Sequence, residues 1–281
     1  MSVIAVKRVW KEYGGQVVLE NIDLEIAPRA FVALVGPSGC GKTTFLKMLL
    51  SEERPTRGVI EVDGAPISAE PSAERGVVFQ RYSVFPHLTV FGNVLLGREL
   101  QASGFLGSLS GRLFGAERRA AEDEAQELLA AVGLAGARDK YPAQLSGGMQ
   151  QRLALAQALI ARPKVLLLDE PFGALDLGIK ADIHVLMRTL WHQRALTVVM
   201  VTHDLSEAFK LATRVVAFER RRNEPTDGGR YGATIGQDIE IWPTRIAGAQ
   251  QRPQQTSAIC RDGPQPNSDQ RRDDPAPNRA T

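Results

Sequence analysis

The run Gly36-Pro37-Ser38-Gly39-Cys40-Gly41-Lys42-Thr43 fits the pattern G-x-x-x-x-G-K-[ST]. Glycines there let backbone N–H groups turn inward around phosphate oxygens, and a helix opening at the end of the run adds partial positive charge. The Lys42 ammonium can reach the terminal phosphates of a nucleoside triphosphate, and the Thr43 hydroxyl is a hard ligand for Mg²⁺. A second constellation is Val165-Leu-Leu-Leu-Asp169-Glu170. An apolar strand brings two carboxylates to its C-terminal end, where open α/β sheets hold their ligands. Asp169 suits the Mg²⁺ shell, and Glu170 suits orienting or deprotonating an attacking water.

The elements around these residues are those the chemistry requires. Phe31–Val35 is apolar on both faces, as in a central parallel strand, and residues 43–50 continue as a helical run. Residues 3–10 and 17–26 read as two strands around the Tyr13-Gly14-Gly15 turn. Further strands are predicted at 58–62, 76–79, 165–168, 197–201 and 214–218, with a last one at 235–242. Helical patterns occupy 117–132, 150–161 and 178–194. Strand and helix alternate, which predicts an α/β sheet. Residues 82–150 hold no strand pattern and read as a helical subdomain, about 82–155, inserted in a domain of residues 1–244. The tail 245–281 is rich in Pro, Gln, Arg and Asp. It has too few apolar residues to offset chain entropy, which predicts disorder.

Just before the second carboxylate strand lies Leu145-Ser-Gly-Gly-Met-Gln-Gln-Arg152. With this run in place, residues 3–218 resemble the ATP-binding-cassette ATPase family, several of whose motifs occur here in the family's order. The resemblance implies an α/β P-loop NTPase core, with an N-terminal antiparallel β subdomain and the inserted helical subdomain. It implies ATP and Mg²⁺ as ligands, held by Gly36 to Thr43 and by Thr44. It places Tyr13 against the adenine ring, and a flat π-face suits that stacking. It makes Gln80 the sensor of Mg²⁺ and γ-phosphate, with Thr43 and Asp169 as the other metal-side groups. Glu170 and His203 would be catalytic with Lys42, His203 holding the γ-phosphate. Ser146, Gly147, Gly148 and Met149 form the signature that would act on a partner's ATP, and Asp176 would touch the dimer partner. Met149 stands where Gln is commonest in the family. Cys40 fits as a small residue contributing only backbone, with a redox-sensitive loop as the alternative. The family's site is completed by two chains, head-to-tail, each closing ATP between its own P-loop and the other's signature.

Composition bounds what such an ATPase drives. The chain has 281 residues, 43% of them apolar and 23% charged, as in ordinary globular proteins. Its net charge of +2 resides in the tail, where six Arg face four Asp; this does not argue for nucleic acid. No apolar run reaches the ~18 residues of a membrane span, and the N-terminus lacks a signal-peptide pattern. Cys40 and Cys260 are too few for a disulfide framework, so a cytoplasmic chain is expected. DNA-maintenance relatives carry coiled-coil or zinc insertions that the short insert here lacks, although a soluble, non-transport ATPase is the alternative reading. The resemblance favours transport, closest to the nitrate/sulfonate/taurine importers. It implies a second copy or a homologous ATPase, integral membrane permease subunits at the inner face of the membrane, and indirectly a solute-binding protein. Residues 81–94, with Tyr82, Phe85, Leu88 and Phe91, are either the permease-facing surface or simple core packing. The Gly-rich 103–115 stretch has no assigned role. Arg220-Arg-Arg222 and the tail could meet anionic lipid or be a solvated charge run.

Overall fold

The computed structural model describes residues 3–79, 84–102, 115–173, 175–220 and 231–241. Gln80, Tyr82, the 103–114 stretch, Arg221, Arg222, Trp242 and the tail 245–281 lie outside the described residues.

The first hairpin joins β1 (Ile4–Tyr13) to β2 (Gln16–Ile26), antiparallel, around Gly14 and Gly15 at φ 54° and 86°. The sequence reading ends the first strand at residue 10. Pairing continues instead through Lys11↔Leu19, Glu12↔Val17 and Tyr13↔Gln16, across register shifts that break the apolar alternation. After β3 (Phe31–Val35) come α1 (Lys42–Leu49), β4 (Arg57–Val62), β5 (Ala65–Pro66) and β6 (Arg75–Val78). The helices α2 (Val90–Ala102), α3 (Gly115–Ala131) and α4 (Gly147–Leu159) occupy the middle of the chain. There follow β7 (Val165–Asp169), α5 (Leu177–Arg194), β8 (Thr197–Val201), α6 (Leu205–Leu211), β9 (Arg214–Glu219) and β10 (Thr234–Glu240).

Two sheets form. One is antiparallel, in the order β2-β1-β4-β5; the other runs β10-β9-β3-β8-β7-β6 and is parallel except for the β9/β10 pair. β3, β7 and β8 are buried at every position because both faces of their sheet are covered. Phe31, Ala33 and Val35 pack with Leu166, Leu168, Val198 and Met200 in the core shared with α2–α5. Val32 and Leu34 pack with Leu167, Val199, Val201, Leu46 and the antiparallel sheet in the other.

This topology assembles the site. β3, β8 and β7 are parallel neighbours, so their C-terminal ends emerge side by side. The loop after β3 begins with Gly36, β7 ends at Asp169 opposite Val201, and β8 is followed by Thr202 and His203. α6 is absent from the sequence reading. Its seven residues are too few to show a helical period, and its start is fixed by a cap: Asp204 Oδ1 accepts from Ser206 N at 2.8 Å and Glu207 N at 3.3 Å.

Candidate active site

The loop after β3 needs glycine for contact reasons as well as phosphate reasons. Gly36 has φ 147°, and a Cβ there would collide with the carbonyl oxygen of Phe218. Gly41 has φ 97° and is the cap of α1; a Cβ would meet Leu19 Cδ2 at 2.7 Å. The loop is therefore pressed between β9 and β2. The Lys42 side chain curls back into it, donating from Nζ to the carbonyl oxygens of Gly36 at 2.7 Å and Pro37 at 2.9 Å. Its residue is 5% exposed. Cys40 is buried, with Lys42 Nζ 3.7 Å from Sγ.

Two contacts join the loop to the carboxylates. Thr43 Oγ1 donates to Asp169 Oδ1 at 3.3 Å. Glu170 Oε2 lies 3.4 Å from His203 Nδ1. Glu170 sits at φ 46°, an uncommon backbone conformation for a side-chain-bearing residue. Its N–H donates to Val201 O at 2.9 Å, which ties the end of β7 to that of β8 and turns the side chain toward His203. Burial raises the Asp169 pKa, and the Glu170 charge adds to the shift; the Thr43 hydrogen bond and the Lys42 charge oppose it. A buried carboxylate beside a hydroxyl is a hard-oxygen donor pair of the kind that suits a divalent cation. Among the described residues, no cluster of three or more His, Cys, Asp or Glu stands ready to hold a metal by itself. A divalent cation here would take Thr43, Asp169 and oxygens from its substrate.

The Asp169 shift gives a stability prediction. A carboxyl whose folded-state pKa is raised favours folding when protonated, and that contribution is lost as pH rises through the raised pKa. Without nucleotide, the protein at neutral pH therefore bears the cost of the Asp169 charge. Asp169→Asn is expected to raise Tm at pH 7 by ~2–4 °C, the shift that ~1 kcal/mol gives in a domain of this size. The gain should vanish below pH ~4, where the wild-type carboxyl is protonated in both states. Calorimetry across this pH range checks both.

Tyr13 ends β1 and is 44% exposed. Its hydroxyl donates to Glu53, and the Lys11 ammonium sits 4.6 Å from the ring centroid. Burial, that hydrogen bond and the Glu53 charge push the phenol up to about 12, so it stays protonated. The signature residues are placed differently. Ser146 caps α4, its Oγ accepting from Met149 N at 3.4 Å. A Cβ on Gly148 would collide with Ile179 Cγ2, so α4 opens hard against the first turn of α5, just beyond the exposed Asp176. No described hydrogen bond or ion pair joins Ser146, Gly147, Gly148 or Met149 to the residues from Gly36 to Thr44. The chain brings together the P-loop, Asp169, Glu170 and His203, and leaves the signature apart. Gln80 falls outside the described residues.

Of the 81–94 candidates, Phe91 packs against the core with the Arg138 guanidinium 4.2 Å from its ring centroid, whereas Phe85 is 37% exposed. The residue that shapes this loop is Asn93, which sequence reasoning missed. It is fully buried, accepts from Phe85 N at 2.7 Å, and donates to the carbonyl oxygens of Phe85, Leu88 and Thr89. Glu53 beneath Tyr13 and Glu207 behind His203 were missed as well, and Arg220, read from sequence only as a lipid contact or part of a solvated charge run, donates to Gly39 O at 3.4 Å. Tyr13 and Glu53, Gly39 and Arg220, and Lys180 and Glu207 are remote from each other in sequence, so spacing carries no signal for these contacts; only the Thr202–Glu207 bond is local.

Comparison with known proteins decides the family. Residues 19–173 match the family model described as "ABC transporter". The chain belongs to the ABC transporter family. The match takes in the P-loop, the signature and the Asp169-Glu170 pair, and stops short of Asp176 and His203. Over 208 residues the chain is 42% identical to the nitrate import ATP-binding protein NrtD of Synechocystis, a match covering 74% of this chain and 73% of that one. It is 40% identical to the sulfate/thiosulfate import ATP-binding protein CysA of Rhodopseudomonas palustris, over 79% of this chain and 62% of that one. It is 42% identical to the Fe(3+) ions import ATP-binding protein FbpC of Rhizobium etli, over 77% of this chain and 58% of that one. The chain thus spans roughly three fifths to three quarters of the length of these relatives. Among solved structures, the dimeric form of MJ0796, a bacterial ABC transporter cassette, superposes with TM-score 0.68 at 30% identity, over 85% of this chain and 99% of that one. A post-hydrolysis dimer of the same cassette, bound to ADP and Pi, gives 0.67 at 29%, again over 85% and 99%. The fold is the family's ATP-hydrolysing P-loop cassette, with mixed α/β sheets as expected. The bacterial-importer resemblance is borne out at the level of the family.

Proposed function

We propose that this chain binds and hydrolyses ATP as the engine subunit of an import system, working at the inner face of a membrane on a separate permease. The observation that carries the catalytic part is the juxtaposition of Thr43 with Asp169 and of Glu170 with His203 at the ends of three adjacent parallel strands. The importer part is supported by relatives named for nitrate, sulfate and iron import. No helix of the described residues is long and apolar enough to cross a membrane, which fits a chain that needs separate membrane subunits. Nitrate, sulfonate, taurine or a related small polar or anionic solute is the class we propose. The solute itself would be selected by the permease and an associated binding protein.

In this reading the β- and γ-phosphates lie across the N-terminus of α1, and the Lys42 ammonium leaves the carbonyls of Gly36 and Pro37 for phosphate oxygens. Thr43 and Asp169 would hold Mg²⁺, and Gln80 is the further group that the family resemblance assigns to it; the ion would neutralise charge on the phosphates. Glu170 orients the attacking water and takes its proton, while His203 donates to the γ-phosphate and steadies the Glu170 carboxylate. Tyr13 offers its ring to adenine. Tyr13→Ala is expected to raise the KM for ATP ~10-fold with little change in kcat, since base stacking is worth ~1–3 kcal/mol. Steady-state kinetics over a range of ATP concentrations checks this.

The signature completes a partner's site. Ser146, Gly147, Gly148 and Met149 open α4, so a second chain would present that N-terminus to the γ-phosphate, with Asp176 at the contact. Light scattering of the purified chain with MgATP tests this. ATP-dependent doubling of mass under conditions that block hydrolysis is expected. A chain that stays monomeric there would overturn the two-chain site.

A further inference from the structure

Behind His203 lies a buried carboxylate that the catalytic reading leaves unused. Glu207, in the first turn of α6, is 4% exposed. Its Oε1 accepts from Lys180 Nζ at 2.7 Å and its Oε2 from Thr202 Oγ1 at 2.9 Å. The Thr202 hydroxyl oxygen in turn accepts the backbone N–H of Asp204 at 3.0 Å, so its single proton and a lone pair are both committed. Thr202 N donates to Leu34 O at 3.1 Å, fixing the same turn to the strand that leads into the P-loop. His203 thus stands between two pinned residues, while its own side chain is 59% exposed.

The wiring departs from local rules. Asp204-Leu-Ser-Glu207 has the spacing of a reciprocal helix cap, in which the Glu side chain would return to the backbone N–H of Asp204. Here Thr202 takes that N–H, and Glu207 is turned across to α5. Lys180 occupies the first turn of α5, and its backbone N–H donates to Asp176 O at 2.9 Å. Lys180 therefore links the two ends: its backbone N–H holds Asp176 O through the first helical bond of α5, and its side chain carries the connection to Glu207, from which hydrogen bonds lead to Thr202 and the backbone on both sides of His203. A buried ion pair is poor at adding net stability, but it fixes geometry wherever both of its ends are satisfied.

We infer that Glu207 is a positioning residue: with Lys180 and Thr202 it sets where His203 stands, and it ties that position to the Asp176 end of α5. This rests on the reading of His203 as the γ-phosphate contact. It adds that a shift of α5 at the partner-facing Asp176 is transmitted to the catalytic histidine of the same chain.

The test uses the full chain. Thr202→Val is isosteric and leaves the Lys180–Glu207 pair in place. Loss of a hydrogen bond to a charged group predicts a kcat lower by ~10-fold or more, with KM for ATP within ~2-fold. Thr202→Ser keeps the hydroxyl and is expected to restore most of the rate. The second readout is proton NMR of the histidine ring signals, the chain having four His. The His203 signal, assigned by its loss in His203→Ala, is expected to move in Thr202→Val while the other three hold still; in the Lys180→Met/Glu207→Gln double variant it is expected to move together with that of His184, which feels the Glu207 and Lys180 charges directly, while His87 and His192 hold still. An unmoved His203 signal, an unchanged kcat in Thr202→Val, or equal movement of all four signals would overturn the inference. If His203→Ala itself hydrolyses ATP at the wild-type rate, the parent reading of His203 fails, whatever Thr202→Val does.

Discussion

Lys42→Ala is expected to abolish ATP hydrolysis and to weaken ATP binding by ~10–100-fold, the range that charge-assisted hydrogen bonds of ~1.5–3 kcal/mol convert to. The size follows from the position of the ammonium. It is buried at the mouth of the loop, held 2.7 and 2.9 Å from two carbonyl oxygens that yield to phosphate without leaving it unpaired. No other cation occupies the loop itself from Gly36 to Thr44. Lys42→Arg is expected to fail as well, because the buried ammonium is a compact point charge and a larger planar guanidinium does not replace it in a loop this closely packed. Titration of a fluorescent ATP analogue measures the affinity, and a phosphate-release assay measures the rate. Binding within twofold of wild type would remove Lys42 from the phosphate site.

Glu170→Gln should act on a different step. The amide keeps the size of the carboxylate and leaves the backbone bond from residue 170 to Val201 O intact, but it cannot take a proton from water. Removing a general base costs ~10²–10⁴ in rate, so kcat should fall by at least two orders of magnitude while ATP affinity is retained. Binding without turnover should hold the two-chain state, so that this variant accumulates as an ATP-loaded dimer. Single-turnover hydrolysis and light scattering separate the two effects. A Glu170→Gln chain that keeps half the wild-type rate would show that the base lies elsewhere.

The sequence carries the parts of this site that lie close together along the chain. Gly36 to Thr43 is contiguous, and Asp169-Glu170 ends an apolar run whose burial on both sides is visible in the residues themselves. The 197–201 strand is legible for the same reason and coincides with β8. What escapes is set by partners far apart in sequence or by elements too short to show a period. Thr202 follows β8, Glu207 lies in α6 and Lys180 in α5, and the Lys180–Glu207 pair exists only once α5 and α6 are packed together. Tyr13 was singled out as a stacking ring, but its Glu53 partner lies 40 residues away. The end of β1 was cut short because its register shifts put polar residues where alternation expects apolar ones. His184 packs its ring 4.9 Å from that of Phe172, and burial lowers its pKa. Its identity gave no hint of that setting.

The central claim is that this ATPase energises a separate membrane permease. Its most direct test is to tag the chain in its native host, solubilise the membranes in mild detergent, purify the chain by its tag, and identify what accompanies it in stoichiometric amount. A polytopic membrane protein at comparable yield is expected, together with ATP hydrolysis in the purified complex that Glu170→Gln eliminates. Recovery of the chain with nucleic acid or soluble proteins alone, still hydrolysing ATP, would contradict the claim and leave the cassette driving some other process.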